Sequence, residues 1–299
     1  MYDAIIIGGG PAGLSAALVL GRARRTVLLC DNQRQRNRCS QAMHGYLTRD
    51  GIPPQEFLKL ARAEAAGYGT EIHTVTVKTA RRVDDVFEIT LEDETTCRGR
   101  RLLIATGVED RLPPISNIED FYGVSVHHCP YCDGWEHKDG RIAVYSKKAG
   151  PALALRTWSS DVMLFTDGHA RFSRIDQDKL ARAGVAVRRE KIVRLEGAGG
   201  RMTAVLLENG ENVGRDALFF STGQSQACDL ATNLGCVLNT RGTIETNKLG
   251  LVNVPGLFAA GDATHDVQLV IVAAAEGAKA GIAINESLQK EDQNRDANW

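Results

Sequence analysis

The chain contains one pair of cysteines at the spacing that supports dithiol chemistry, Cys129 and Cys132. Two thiols in a C-x-x-C sequence either form a redox-active pair or supply half of a zinc site. In a redox pair, one thiolate attacks an external disulfide or yields to one, and the other thiol resolves the mixed disulfide. This chemistry needs proximity and a lowered thiol pKa. We favour the redox interpretation.

Two other interpretations of the cysteine pair stay open, namely a zinc site and a pair of inert buried thiols. A zinc site could recruit His127 and His128, but adjacent histidines point in different directions and the chain has no second C-x-x-C or H-x3-H sequence. Asp133 follows the pair and is either a proton donor to a departing thiolate or an acid in a surface turn. We therefore predict Cys129, Cys132 and Asp133 as catalytic residues and no metal site.

A glycine-rich loop near the start of the chain carries a second chemical signal. Gly8, Gly10 and Gly13 form a G-x-G-x-x-G sequence that follows an apolar strand, opens a helix and is followed by Asp31. Gly8 allows a tight turn, Gly10 lets a pyrophosphate approach the backbone, and Gly13 lets helix and strand pack closely. The helix N-terminus attracts the phosphates, and Asp31 can accept hydrogen bonds from ribose hydroxyls. The loop does not decide between FAD and NAD, because both carry adenosine diphosphate.

An α/β framework is needed to position these residues. Residues 4–7 form a continuous apolar run, typical of a strand buried on both faces of a parallel sheet, and residues 14–20 and 26–31 predict a helix and a second strand. A similar βαβ pattern begins at residues 141–145, continues through a helix near 152–158 and ends in a strand at 162–165. Late strands that end in Thr-Gly occur in both halves, so the sequence indicates an internal duplication. A long helix is expected from about Gln268 to Leu288.

Composition narrows the class of protein further. The 299 residues include 36 Lys and Arg and 37 Asp and Glu, so the net charge of −1 argues against nucleic acid or a membrane surface as the main partner. Seven cysteines are an odd set, which argues against a secreted disulfide framework. The first residues lack the basic segment of a signal peptide, and no apolar run approaches the length of a membrane helix. We expect a cytoplasmic protein.

Four motifs, in this order and spacing, resemble a low-molecular-weight thioredoxin reductase, an FAD flavoprotein of class II of the pyridine nucleotide-disulfide oxidoreductases. They are Gly8-Gly9-Gly10-Pro11-Ala12-Gly13, Ala105-Thr106-Gly107, Cys129-x-x-Cys132-Asp133-Gly134 and Phe258-Ala259-Ala260-Gly261-Asp262. The resemblance covers nearly the whole chain. It implies an α/β fold class with two Rossmann-like, three-layer nucleotide-binding domains, the second inserted into the first, and a homodimer. Residues 1–112 and 243–299 would form the FAD domain, and residues 113–242 the dithiol domain with a degenerate NAD(P)H-type fold.

The resemblance also implies FAD as the cofactor and assigns roles to individual residues. Asp262 would bind the ribityl chain, Gln268 would lie near the isoalloxazine, and the N-terminus of the last helix would favour the negative charge of reduced flavin. Cys132 would lie against the flavin and Cys129 would meet the external substrate. His44 would lie near the flavin and move protons, or else be a structural loop histidine. The residues expected to bind FAD are Gly8, Gly10, Pro11, Ala12, Gly13, Asp31, Arg38, His44, Val77, Ala105, Thr106, Gly107, Gly261, Asp262, Gln268 and Leu269.

The sequence departs from the family where NADPH would bind. Ser146, Lys148 and Pro151 stand at the three small positions of the second glycine fingerprint. Lys148 carries a long side chain where a pyrophosphate needs bare backbone, and Pro151 lacks an amide donor. In place of the basic cluster that grips the 2′-phosphate, the chain reads Thr166-Asp167-Gly168-His169-Ala170-Arg171, in which Asp167 would repel a phosphate. We predict that NADPH binding is lost while its fold remains.

Loss of NADPH binding leaves the electron source open. A thioredoxin-like protein or a small disulfide or dithiol is expected as the substrate, with ferredoxin or a similar reductant as donor. The segments 44–51 and 128–136 look closer to dithiol oxidases, which pass electrons from a dithiol to oxygen. A flavin-binding sensor is the third alternative. We also hypothesise that Trp299 folds back and stacks on the flavin face that no nicotinamide occupies.

Overall fold

The computed structural model describes residues 1–170, 172–264 and 267–296, so the hypothesis about Trp299 lies outside the described residues. The strands are β1 (Tyr2–Ile7), β2 (Val27–Asp31), β3 (Glu71–Thr74), β4 (Val77–Val83), β5 (Val86–Leu91), β6 (Thr96–Ile104), β7 (Val108–Asp110), β8 (Val126–His127), β9 (Arg141–Tyr145), β10 (Asp161–Phe165), β11 (Ala186–Arg188), β12 (Ile192–Ala198), β13 (Arg201–Leu207), β14 (Asn212–Gly214), β15 (Ala217–Phe220), β16 (Gln224–Gln226) and β17 (Leu257–Ala259). The helices are α1 (Pro11–Arg22), α2 (Pro54–Ala66), α3 (Pro130–Asp133), α4 (Gly150–Leu155), α5 (Arg174–Arg182), α6 (Leu230–Asn233) and α7 (Val270–Asp296). No helix within these described ranges is long and apolar enough to cross a membrane.

The chain divides into two compact units. The outer unit comprises Met1–Arg38, Tyr46–Glu109 and Ser225–Trp299, and the inserted unit comprises Cys39–Gly45 and Asp110–Gln224. This division differs from the predicted boundary at residue 242. The difference arises because α6 and its neighbours supply Leu230 and Cys236 to a hydrophobic cluster of the outer unit.

The outer unit is built on a sheet in which the strand order is β3-β2-β1-β6-β5-β4, with β17 paired to the C-terminal half of β6. β1 runs parallel to both β2 and β6, so that Ile7 pairs with Cys30 and with Ile104. β17 is also parallel to β6, with Ala259 opposite Ile104. The carboxyl ends of β1, β2, β6 and β17 therefore meet at one edge of the sheet, where ligands bind in open α/β sheets.

Alternation along β1 explains the three layers of this unit. Ile5 and Ile6 are both fully buried, yet Ile6 belongs to one hydrophobic cluster and Ile5 to another. Successive side chains of a strand point to opposite faces, so an apolar strand without polar residues must be covered on both sides. Helices α1 and α7 cover the face of Ile6, which includes Leu14 and Ile284.

Close backbone contact between α1 and α7 depends on glycine. A Cβ atom on Gly277 of α7 would overlap the carbonyl oxygen of Ala12 in α1. Gly13 makes a separate close contact within the glycine loop, where a Cβ atom would overlap the carbonyl oxygen of Gly8. Gly281, one turn further along α7, lies so that a Cβ would be 3.1 Å from the oxygen of Ala16. Small residues at these positions allow the two helices to approach until their backbones touch.

The last helix is longer than the sequence predicted, since α7 begins at Val270 and extends to Asp296. Its polar last turns are held by ion pairs. Asp292 pairs with Arg25 at 2.9 Å and with Arg100 at 2.5 Å, and these guanidinium groups lower the pKa of its carboxyl. Glu291 pairs with Arg101 at 2.8 Å. Ion pairs with residues distant in sequence thus extend the helix. The local sequence pattern does not reveal these pairs.

The inserted unit contains a second parallel sheet, with strand order β11-β10-β9-β15-β8, and a separate antiparallel sheet of β12, β13 and β14. β9 is apolar and buried from Ile142 to Val144, as β1 is in the outer unit. The order β9, α4, β10 repeats β1, α1, β2 with parallel strands. The parallel sheets in both units confirm the predicted α/β fold class.

We predict that Gly277→Ala destabilises the outer unit. The added methyl group forces α7 away from the Ala12 carbonyl, and overpacking of this kind costs about 2 kcal/mol. Urea unfolding followed by circular dichroism measures the free energy of unfolding. Gly67→Ala is the matched control, because Gly67 is in a right-handed helical conformation and its Cβ would lie 3.4 Å from its nearest neighbours. Equal stability of the two variants would contradict the proposed close contact.

Candidate cofactor and dithiol sites

The glycine loop between β1 and α1 has the shape of a pyrophosphate cradle. Gly8 has φ +115°, and its N–H donates to the carbonyl of Cys30 at 2.8 Å. A Cβ on Gly8 would overlap the Ala105 carbonyl, whereas none of the described residues has an atom within 4 Å of a Cβ built on Gly10. No side chain caps the start of α1, so the first amides of this twelve-residue helix face the open space beside Gly10. These features fit the diphosphate of FAD.

Asp31 ends β2 at the same sheet edge and is almost fully buried. Its carboxylate accepts from the backbone N–H of Gln33 and from the side-chain amide of Gln35, both at 2.9 Å, and it pairs with Arg62. A Cβ atom on Gly9 would overlap this carboxylate, so the absence of a side chain at Gly9 leaves room for the side chain of Asp31. Arg62, on α2, was not found from the sequence because no local motif places it here.

The segment after β17 brings a second group of polar side chains to this edge. Gly261 has φ +79° and donates its N–H to Glu276 at 2.7 Å. Asp262 and Gln268 are joined through Arg36, whose Nη1 donates to the Asp262 carboxylate at 3.0 Å and to Oε1 of Gln268 at 2.7 Å. Sequence reasoning missed Arg36; a basic residue shortly after the acid that ends β2 was the available signal.

The other residues expected to bind FAD are placed as follows. Pro11 and Ala12 open α1, Ala105, Thr106 and Gly107 directly follow β6, Val77 begins β4, and the carbonyl of Leu269 accepts the N–H of Ala273 at the start of α7. Arg38 is exposed, with its Nη1 3.4 Å from the carbonyl of Gln35. His44 belongs to the inserted unit, where its Nε2 lies 3.3 Å from Glu136.

The dithiol lies on α3 of the inserted unit. Cys129 precedes the helix and Cys132 lies within it, with the Cys132 thiol donating to the Cys129 sulfur at 2.6 Å. This hydrogen bond, together with the backbone amides of Cys132 and Tyr131, lowers the pKa of the Cys129 thiol against the opposing effects of burial and Asp133. Because the thiolate is the nucleophilic form of a thiol, the lowered pKa favours reaction at Cys129.

The surroundings of the dithiol are aromatic and acidic. Tyr131 is 78% exposed and Trp135 is 66% exposed. Asp133 lies with its Oδ1 3.2 Å from Nδ1 of His127, a buried histidine at the end of β8. Across the described ranges, no group of three or more His, Cys, Asp or Glu side chains is arranged to hold a metal ion.

The loop after β9 differs from the glycine loop of the outer unit. Ser146 is buried and its hydroxyl accepts the N–H of Lys148 at 3.1 Å. α4, which begins at Gly150, has only six residues and carries Pro151 in its first turn. Asp167 follows β10 and accepts a hydrogen bond from the Tyr145 hydroxyl at 2.6 Å.

We predict that Cys132→Ala raises the pKa of Cys129 towards the ordinary value of a thiol, because the variant removes the donor that stabilises the thiolate. The rate of iodoacetamide labelling at Cys129 follows its thiolate, so the midpoint of rate against pH moves upward. Mass spectrometry of the Cys129 peptide separates this reaction from labelling of exposed Cys39.

Cys132→Ser is the control for this measurement, since its hydroxyl still donates, and its midpoint should stay closer to that of the wild type. A midpoint unchanged in the alanine variant would show that the Cys132 thiol does not set the pKa of Cys129.

We further predict that Gly10→Val weakens FAD binding without unfolding the chain. The valine enters empty space in the apoprotein, so its free energy of unfolding changes by about 0.5 kcal/mol or less. The same side chain fills the space for the diphosphate, so FAD affinity falls by about tenfold or more. Fluorescence titration of the apoprotein with FAD measures this affinity. Gly150→Val, in the corresponding loop of the inserted unit, should bind FAD normally; equal binding by both variants would remove Gly10 from the site.

Comparisons with known proteins agree with this architecture. The sequence matches the model of the pyridine nucleotide-disulphide oxidoreductase family over residues 2–149 and 159–277. The thioredoxin reductase tcpT of Claviceps purpurea is 32% identical over 282 residues, which cover 88% of this chain and 86% of that protein. Among solved structures, HlmI is 35% identical with a TM-score of 0.94, covering 99% of this chain and 95% of that chain.

The oxidoreductase from Agrobacterium tumefaciens is 33% identical with a TM-score of 0.90, covering 96% of this chain and 98% of that one. The family match spans most of the chain and includes both the glycine loop and the dithiol. The chain belongs to the pyridine nucleotide-disulphide oxidoreductase family, as an FAD-binding disulfide oxidoreductase of the low-molecular-weight, thioredoxin reductase-like class.

Proposed function

We propose that the protein is an FAD-dependent thiol-disulfide oxidoreductase that does not use NADPH. Its Cys129 and Cys132 pair exchanges with an external disulfide or dithiol, carried by a thioredoxin-like protein or by a small molecule. The observation that carries the proposal is the loop between β9 and α4, which lacks a phosphate cradle.

One backbone amide of this loop is already bonded within the loop. The Ser146 hydroxyl binds the amide of Lys148, which a glycine loop would present to the diphosphate. The helix that follows, α4, has only six residues and therefore adds little dipole. In the outer unit, by contrast, the helix that follows the glycine loop is twelve residues long.

The end of β10 also disfavours NADPH. Asp167 stands where the family carries basic residues for the 2′-phosphate, and two negative charges at close range repel. Burial and the Asp167 carboxylate raise the pKa of Tyr145, so the tyrosine stays protonated and continues to donate to the acid. Arg171, the only Lys or Arg of the 166–171 segment, lies outside the described residues.

The dithiol residues can carry out a complete exchange. The Cys129 thiolate attacks one sulfur of an external disulfide, which breaks that bond and forms a mixed disulfide. The departing sulfur accepts a proton, and Asp133 is the proposed donor. Cys132 then attacks Cys129, the second substrate thiol leaves, and the enzyme retains the Cys129–Cys132 disulfide. FAD, when bound through Gly10, Asp262 and their neighbours, supplies the two-electron chemistry that returns this disulfide to the dithiol.

A second candidate is the same exchange run in reverse, as a dithiol oxidase that delivers electrons to oxygen. The exposed aromatic rings of Tyr131 and Trp135 support it, because they border the dithiol with an apolar rim suited to a small organic dithiol. The lack of a phosphate cradle also fits this direction, since an oxidase needs no reducing nucleotide. We propose a homodimer for either direction, which analytical ultracentrifugation tests.

An anaerobic titration tests the electron source. We expect dithiothreitol to bleach the flavin absorbance of the holoprotein, and we expect NADPH and NADH, added separately at stoichiometric amounts, to leave it unchanged. The control is the Cys129→Ser, Cys132→Ser double variant, which should bind FAD but lose the rapid response to dithiothreitol. Rapid bleaching by NADPH would overturn the proposal.

The direction of electron flow is tested by admitting oxygen. Sustained oxygen consumption with a dithiol and catalytic amounts of the protein would assign the oxidase direction. Its absence, together with reduction of a disulfide by the enzyme and reduced ferredoxin, would assign the reductase direction.

A further inference from the structure

We propose that His127 and His137 form a proton relay that connects solvent to Asp133 beside the dithiol. The proposal rests on the proton-donor role of Asp133 in the proposed function. It adds His127 and His137, which have no role in the exchange reaction described above. Both act through Asp133, so they are positioning residues that supply its proton.

Three polar side chains of the inserted unit, one carboxyl group and two imidazole rings, lie close to one another in a row. Oδ1 of Asp133 lies 3.2 Å from Nδ1 of His127, and Nε2 of His127 lies 2.9 Å from Nε2 of His137. The Asp133 carboxylate beside Nδ1 of His127 favours the tautomer that carries its proton on this nitrogen. In the neutral ring its Nε2 is then an acceptor, and Nε2 of His137 must donate. With these tautomers, the Nε2 proton of His137 faces His127, and the Nδ1 proton of His127 lies on the side of Asp133.

Packing fixes the orientation of both rings. His127 is buried, and the rings of His127 and His137 have centroids 4.9 Å apart. Phe219 of β15 contacts both, with centroid distances of 5.4 Å and 6.1 Å. Because Phe219 is itself buried, it keeps water from one side of the pair. His137 is half-buried, so part of this residue contacts solvent, from which we propose that the relay takes up a proton.

The charges around His137 keep it neutral. Burial, His127 and Arg201 lower its pKa to about 4, against the opposing effects of Asp133 and Asp216. A neutral imidazole has one nitrogen that donates and one that accepts, which is the condition for passing a proton through the ring. Two positively charged imidazolium rings could not face each other nitrogen to nitrogen at 2.9 Å. The two rings are therefore not both protonated to imidazolium at the same time.

The relay moves protons and no electrons. A solvent proton binds Nδ1 of His137, the Nε2 proton of His137 passes to Nε2 of His127, and the Nδ1 proton of His127 passes to Asp133. Asp133 gives a proton to the departing substrate thiolate. When the enzyme dithiol next loses a proton to regenerate the Cys129 thiolate, the transfers run in reverse and both rings regain their starting tautomers.

The test compares two disulfides with different leaving groups. Anaerobic, dithiothreitol-reduced holoprotein is mixed with hydroxyethyl disulfide, whose thiol is basic and needs a proton, or with Ellman's reagent, whose acidic aromatic thiol leaves as the thiolate. We expect His137→Ala to slow the first reaction by about tenfold or more and to leave the second within about twofold. Added imidazole should restore the first rate. His169→Ala is the control, because His169 lies on an exposed loop.

His137→Gln separates proton transfer from structure. Its amide still donates to His127 but cannot pass a proton on. A relay requires this variant to be as slow as His137→Ala with hydroxyethyl disulfide. A normal rate in the glutamine variant, or equal slowing with both reagents without rescue by imidazole, overturns the relay.

Asp133→Asn distinguishes failure of the relay from failure of the proposed function. If Asp133→Asn selectively loses the reaction with hydroxyethyl disulfide while both His137 variants keep it, the donor role of Asp133 stands and the relay is wrong. If Asp133→Asn reacts with hydroxyethyl disulfide at the normal rate, Asp133 is not the proton donor. The relay proposal is then wrong as well.

Discussion

Contact between bare backbones at Gly277 and Ala12 is the constraint on which the outer unit depends. Because Gly277 has no side chain, α7 rests directly on the first turn of α1. This contact brings the segment that precedes α7, with Asp262 and Gln268, to the sheet edge where Gly8 and Gly10 form their loop. A larger residue at this one point would separate two groups of side chains that are far apart in sequence.

The two βαβ units of this chain share a strand order but differ in the loop that follows the first strand. In the outer unit, the space beside Gly10 is open and the amides of α1 face it. In the inserted unit, the same strand order is retained, but the Ser146 hydroxyl takes up an amide of the loop. The sheet is unaffected, because Ile142 to Val144 remain buried whatever the loop does. The proposed loss of NADPH binding is therefore compatible with retention of the fold.

Strand positions and the cysteine pair were predictable because their signals are local. An apolar run such as Ala4 to Ile7 identifies a doubly covered strand, and the C-x-x-C spacing identifies the dithiol. Arg36, Arg62 and His137 were not predicted, because each reaches its partner through the tertiary fold and none belongs to a spacing motif. The end of α7 was missed for the same reason, since ion pairs to Arg25 and Arg100 hold its polar last turns.

Interruption of the outer unit by the inserted unit governs the order in which the chain can fold. All residues of the inserted unit precede residue 225, so they have been synthesised before β17 and α7 exist. Until β17 emerges, the edge of β6 at Leu102 to Ile104 is open and apolar, a surface that invites association with other chains. The outer unit closes by a late pairing of high contact order, which is slow. The nascent protein is therefore most vulnerable to aggregation just before its last strand and helix are made.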